Sequence, residues 1–187
     1  MSQASAFPRV HATTVLGILH NGQVALGADG QATMGNSVIK GNVKKVRKLA
    51  SADIMVGYAG STSDAFALVE KFEEKLNMYR SNLRRAAIEL AKDWRTDRML
   101  RRLEAMLVVI DREEGLIISG TGDVLAPEEG VLAIGSGGDF ARSAALALKR
   151  HAPHLSAEQI VREGLTIAAD ICIYTNHNLE ILTLEER

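Results

Sequence analysis

The run Thr13-Thr14-Val15-Leu16-Gly17-Ile18-Leu19-His20-Asn21-Gly22-Gln23-Val24-Ala25-Leu26-Gly27-Ala28-Asp29 decides the fold. Thr14 to Leu19 and Gln23 to Ala28 are short, apolar and rich in valine and leucine, which suits strands. Asn21-Gly22 lies between them. Those two residues tolerate the positive φ angles of a tight hairpin turn, so the run predicts two antiparallel strands laid side by side.

The segments beyond the hairpin alternate between strand and helix pairs. Ile54 to Val56 is apolar and ends in Gly57-Tyr58-Ala59-Gly60, read as a glycine turn, after which Ser61, Thr62 and Ser63 offer capping oxygens for a helix. Phe66, Val69, Phe72, Leu76 and Tyr79 recur at intervals of three or four residues and predict one buried face; Glu70, Lys71, Glu73, Glu74 and Lys75 fall on the wet side. Leu83, Ala87, Leu90 and Trp94 repeat that spacing in a second helix, joined by the short link Arg80 to Asn82. Strand-like runs return at Ala105 to Ile110, Leu116 to Ser119 and Val131 to Ile134, the last leading into Gly135-Ser136-Gly137-Gly138. A helix from Phe140 to Lys149, another opened by the capping pair Ser156 and Gln159, and a strand at Leu179 to Leu184 complete the order. Strands, two helices, strands, two helices and a strand pack as an α+β fold, a four-layer α/β/β/α sandwich of two antiparallel sheets.

Composition narrows the function. The chain has 187 residues, 47% hydrophobic and 24% charged, with a net charge of −1, the profile of one globular domain. That charge balance gives no reason to expect nucleic acid as a partner. The longest apolar runs fall far below the roughly 20 residues of a membrane-spanning helix, and Met1 to Ala12 lacks the about 7–15 apolar residues of a secretory signal. A cytoplasmic, membrane-free protein is expected. Cys172, a single cysteine in the apolar run Ile171-Cys172-Ile173, reads as a core residue and excludes an internal disulfide.

Common catalytic motifs are absent. There is no Gly-Lys-Ser/Thr phosphate loop, no His-Glu-x-x-His and no Cys-x-x-Cys, so no nucleotide is expected on this chain. Ser136 is no nucleophile elbow, because Ile134 stands where that motif needs glycine. The stretch that remains runs from Thr13 to Lys48, with its Thr-Thr pair, the polar turn Asp29-Gly30-Gln31-Ala32-Thr33 and the basic cluster Lys44-Lys45-Val46-Arg47-Lys48.

Read in order, Thr13-Thr14, Asp29-Gly30-Gln31-Ala32-Thr33, Gly41-Asn42-Val43-Lys44-Lys45-Val46-Arg47, Ala91-Lys92-Asp93-Trp94-Arg95-Thr96-Asp97, Ala133-Ile134-Gly135-Ser136-Gly137-Gly138 and Asp170-Ile171-Cys172-Ile173-Tyr174-Thr175-Asn176 closely resemble the HslV (ClpQ) family, bacterial relatives of proteasome β-subunits. The resemblance spans Thr13 to about Glu185. It implies an N-terminal nucleophile hydrolase: a threonine endopeptidase assembled as two stacked hexameric rings, a dodecamer, and fed unfolded polypeptides by the hexameric ATPase HslU (ClpY). It also implies residues 1–12 as a propeptide and 13–187 as one peptidase domain.

A threonine hydroxyl is a weak nucleophile at neutral pH, and an N-terminal threonine carries its own base, an α-amine of pKa about 7.7–8.0. In the precursor that nitrogen is an amide, so activity requires the bond after Ala12 to be cut. The resemblance places Thr13 as nucleophile and base, Lys45 beside its hydroxyl as an electrostatic aid, Asp29 holding Lys45, the Gly57 amide facing the oxyanion, and Ser136 supporting the α-amine. It further implies a sodium ion held by the backbone carbonyls of Ala169, Cys172 and Thr175. Two positions depart from the family pattern: Ala169, where glycine is usual, and Gly27-Ala28, where the order is usually reversed.

From the residues alone, Thr13 and Thr14 read as β-branched residues opening an edge strand, and Lys44, Lys45, Arg47 and Lys48 as a solvated basic loop. Preferring Thr13 to Thr14 as nucleophile rests on the family motif. Two functional classes compete with a protease: a non-catalytic ring subunit that never exposes Thr13, and a small-molecule amidase, which the lack of inserted segments disfavours.

Overall fold

Valine, isoleucine and leucine dominate the strands because both faces of most of them are covered, so their runs are continuous rather than alternating. The computed structural model describes residues 10–11, 13–49 and 53–184. Its strands are β1 (Val10–His11), β2 (Thr14–His20), β3 (Gln23–Asp29), β4 (Ala32–Met34), β5 (Ser37–Lys40), β6 (Val46–Lys48) and β7 (Met55–Gly60). Helices α1 (Thr62–Met78) and α2 (Leu83–Thr96) follow, then β8 (Ala105–Ile110), β9 (Gly115–Ser119), β10 (Val124–Leu125) and β11 (Val131–Gly135). The chain continues through α3 (Gly138–His151), α4 (Ala157–Ile171) and β12 (Leu179–Leu184).

A five-stranded sheet, β10-β9-β8-β7-β6, and a four-stranded sheet, β11-β2-β3-β12, are antiparallel throughout, and three apolar clusters separate the layers. Leu68, Phe72, Leu76, Leu90 and Trp94 of α1 and α2 pack on Tyr58, Leu107 and Ile118. Val15, Leu26, Met55 and Val108 fill the space between the sheets. Leu16, Ile18, Ile160, Val161 and Leu165 join the four-stranded sheet to α3 and α4. The expected α/β/β/α sandwich is the observed one. Each large side chain fully buried there is worth about 1.5–3 kcal/mol, so no single contact holds the layers together.

The hairpin forms as read: Val15 lies opposite Ala28, Leu19 opposite Val24, and Asn21 and Gly22 turn at φ 52° and 78°. Several local readings need correction. Gly57 is not in a turn: β7 runs through it to Gly60, and the chain leaves the strand at Gly60, whose φ is 111°. Ser61 stands at the N-cap of α1 without a side-chain capping bond; its hydroxyl meets that of Ser63. On α1, Phe66 is 48% exposed and lies on the flank against Tyr58, while Ala65 and Leu68 take the buried positions. Val46 to Lys48 is a strand rather than a solvated loop, with Arg47 paired to Glu73. Thr14 opens no edge strand, because β2 has β11 on one side and β3 on the other.

A small third sheet, β1-β4-β5, escaped the sequence reading because its strands are short and β5 is exposed along its length. Of the expected propeptide, Val10 and His11 form β1, opposite Met34 and Thr33 of β4; Met1 to Arg9 and Ala12 lie outside the described residues.

Candidate active site

The site forms where the N-terminal end of β2 meets the C-terminal ends of β3 and β11. Asp29 closes β3 with both carboxylate oxygens inside the protein. One, Oδ1, accepts from the Thr14 N–H at 2.7 Å and from Lys45 Nζ at 3.0 Å. The other, Oδ2, accepts the N–H groups of Gln31 at 2.8 Å and Asn176 at 3.2 Å. Four donors satisfy one buried carboxylate, as a buried anion requires.

Lys45 precedes β6 and points inward. Its side chain is 2% exposed and that of Asp29 0%, so the pair is cut off from solvent. A second bond, 2.6 Å to the Gln31 carbonyl, fixes the ammonium. Burial pushes Lys45 below its ordinary pKa of 10.5, and the Asp29 charge and hydrogen bond oppose that shift.

Thr13 is 2% exposed and has a φ of 125°, a conformation that a β-branched residue strongly resists. Its carbonyl accepts the Ser136 N–H at 2.9 Å. Gly135 makes this approach possible: with φ 90°, a Cβ built on it would fall 1.9 Å from the Thr13 carbonyl oxygen. Thr14 anchors the next step, its hydroxyl accepting from the Gly137 N–H at 3.0 Å and sharing a 2.7 Å bond with the Thr175 hydroxyl. A Cβ on Gly137 would come within 2.2 Å of the Thr14 hydroxyl. The glycine-rich segment after β11 is therefore a close wrap around the Thr-Thr pair.

Thr13, Asp29, Lys45 and Ser136 thus come together, although Ser136 contributes its amide, and its exposed hydroxyl bonds to no described residue. Gly57 stands inside β7, opposite Val46 of β6 and Val108 of β8. Glycine is needed there for packing, since a Cβ would lie 2.7 Å from Val15 Cγ1.

Sequence reasoning missed the backbone groups of Gln31, the side chain of Asn176 and the hydroxyls of Thr14 and Thr175 as parts of this network. The motifs that carried the resemblance contain all four, and a polar cluster such as Tyr174-Thr175-Asn176 between a helix and a strand is the signal that could have flagged them.

Ala169 lies in the last turn of α4, Cys172 is its C-cap and Thr175 follows in the loop. Carbonyls at a helix C-terminus suit a hard cation, through both oxygen donors and the negative end of the helix dipole. Alanine at 169 is unstrained, since it is not among the positive-φ residues. Among the described residues no group of three or more His, Cys, Asp or Glu side chains could hold a metal, so a cation here would rest on main-chain oxygens. Gly27-Ala28 leaves β3 unbroken to Asp29, with Gly27 under Val161 and Leu165 of α4.

The family model described as proteasome subunit matches residues 10–184. An ATP-dependent protease subunit HslV from Cytophaga hutchinsonii is 65% identical over 175 residues, 94% of this chain and 97% of that protein. The protein of the same description from Staphylococcus aureus is 53% identical over 176 residues, covering 94% of this chain and 97% of its own. The crystal structure of the eukaryotic HslV from Trypanosoma brucei superposes with a TM-score of 0.88 at 45% identity, over 92% of this chain and 99% of that one.

Proposed function

This chain belongs to the proteasome-subunit family and, within it, to the HslV type, an N-terminal threonine protease; on that premise we propose that Thr13 is its nucleophile, freed when residues 1–12 are removed. The observation that carries the reading is the wrap around Thr13: the Ser136 amide on its carbonyl, Gly135 beneath it, and the buried Asp29–Lys45 pair one hydrogen bond from the Thr14 amide. The strained φ of Thr13 supports cleavage at its N-terminal side, because cutting that bond removes the constraint that defines the angle.

In the processed chain the Thr13 α-amine takes the hydroxyl proton as the oxygen attacks a peptide carbonyl. It returns that proton to the departing amine, leaving an ester that water hydrolyses by the same route. The Lys45 ammonium lowers the cost of negative charge near the hydroxyl, and Asp29 fixes Lys45 through one oxygen while aligning β2 through the same atom. A sodium ion on the carbonyls of Ala169, Cys172 and Thr175 would supply positive charge that stiffens the loop carrying Thr175 and Asn176.

The substrates are unfolded polypeptides delivered by an HslU ATPase to a chamber formed by two stacked hexameric rings in the cytoplasm. The test is degradation of unfolded casein by the purified chain with and without an HslU protein and ATP, beside Thr13→Ala. Proteolysis that needs both proteins and vanishes in the variant is expected; full activity in Thr13→Ala would remove Thr13 from the mechanism.

A further inference from the structure

The loop between α4 and β12 reaches across the site and ties together the two segments that carry Asp29 and Lys45. Asn176 is the point of attachment. Its backbone N–H donates to Asp29 Oδ2 at 3.2 Å, its side-chain oxygen accepts the Gly30 N–H at 3.1 Å, and its side-chain Nδ2 donates to the Gly41 carbonyl at 2.9 Å. Gly30 is the first residue after β3, and Gly41 stands four residues before Lys45 on the segment leading into β6. The two segments touch closely: the Val43 N–H donates to the Gly30 carbonyl at 2.9 Å, and a Cβ on Gly30 would lie 2.5 Å from the Gly41 carbonyl oxygen.

We propose that Asn176 is a positioning residue for the protease reaction, one that sets the distance between the Asp29 carboxylate and the Lys45-bearing segment through its hydrogen bonds to Asp29, Gly30 and Gly41. This rests on the reading that Lys45 and Asp29 serve Thr13. The chemistry favours a carboxamide. One short side chain must accept from the Gly30 N–H and donate to the Gly41 carbonyl, and a primary amide does both from a single planar group. A carboxylate there could accept but would repel the Gly41 oxygen and add a second anion beside Asp29. An apolar side chain would leave the Gly30 N–H without its acceptor.

Asn178 supplies an internal control. Its Nδ2 donates to the same Gly41 carbonyl at 2.7 Å, and its backbone N–H, which Asn178→Ala keeps, donates to Asn176 Oδ1 at 3.2 Å, but its side chain touches neither Asp29 nor Gly30. Removing Asn178 leaves Gly41 with Asn176; removing the Asn176 side chain frees Gly30 and with it the register of the turn that holds Asp29.

The experiment compares wild type, Asn176→Ala, Asn176→Asp, Asn178→Ala and Thr13→Ala in casein hydrolysis with an HslU protein and ATP, reading kcat and KM separately, alongside melting and ring size. Misplacing a catalytic group by a fraction of an ångström slows chemistry more than binding, so Asn176→Ala should lower kcat by about tenfold to a hundredfold with KM unchanged. Asn176→Asp, which keeps the acceptor for Gly30, should fall between Asn176→Ala and wild type, and Asn178→Ala should stay within about twofold of wild type. The inference is overturned by a wild-type kcat in Asn176→Ala, by an equal loss in Asn178→Ala, or by a loss that appears only in KM. It is equally overturned if Asn176→Ala does not fold and Asn176→Asp has a wild-type kcat. An inactive Thr13→Ala beside a fully active Asn176→Ala would sink this inference alone, whereas an active Thr13→Ala would sink the reading beneath it.

Discussion

Replacing Asp29 by asparagine keeps the shape of the side chain and removes its charge, which isolates what the carboxylate does. Each oxygen of Asp29 faces two donors: Thr14 N–H and Lys45 on one side, Gln31 N–H and Asn176 N–H on the other. Whichever way the new amide turns, its NH2 displaces one oxygen and confronts two donors. Two orphaned buried donors cost about 1–3 kcal/mol each, and a buried Lys45 stripped of its counter-charge belongs to the about 3–5 kcal/mol class of broken buried pairs. The contributions overlap, giving a loss of about 4–6 kcal/mol for Asp29→Asn, a large part of a domain's stability. Lys45→Met should cost less, because Asp29 keeps three N–H donors. In Asp29→Asn with Lys45→Met no buried charge remains, so the double variant should be more stable than the sum of the singles predicts, by about 1–3 kcal/mol. Urea unfolding of the four proteins, analysed at constant m-value, measures this. Additivity within about 0.5 kcal/mol would refute a directly coupled pair.

The lowered pKa of Lys45 has its own consequence: the folded protein releases this proton before the unfolded chain does, so stability should rise with pH between the lowered value and 10.5. Urea midpoints across that window should climb in wild type, with this component absent in Lys45→Met. Gly135→Ala should abolish activity and lower the melting temperature, since a methyl group cannot occupy a point 1.9 Å from the Thr13 carbonyl at φ 90°; an active, stable variant would contradict the wrap. Trp94 is fully buried, and its indole N–H has no hydrogen-bond partner among the described residues. Trp94→Phe removes that unsatisfied donor along with one ring, so calorimetry should find a loss well below the about 3–5 kcal/mol of a Trp→Ala change.

The layered fold was legible because its signals are local and mutually consistent. Asn21-Gly22 fixes the hairpin, Ser156 with Gln159 forms the capping box of α4, and Leu83, Ala87, Leu90 and Trp94 all point to the core. Phe66 was misplaced because periodicity gives the angle of a residue around the helix but not the width of the surface it meets, and the narrower contact admits Ala65 and Leu68 instead. Gly57 reads as a turn residue because glycine usually punctuates strands, whereas in the fold it makes room for Val15 of the facing sheet, a contact no local pattern encodes. For the site, family motifs brought Thr13, Asp29 and Lys45 forward. The clamp made by Asn176 joins positions 135 and 146 residues apart in sequence, and only the folded chain shows that their polar groups match.

The central claim, that Thr13 becomes the first residue of the working enzyme and does the cutting, is tested most directly by the intact mass of the purified chain beside its Thr13→Ala variant. The account predicts a wild-type chain lacking Met1 to Ala12 and a variant that retains them. Retention in both, with proteolysis intact, would contradict it.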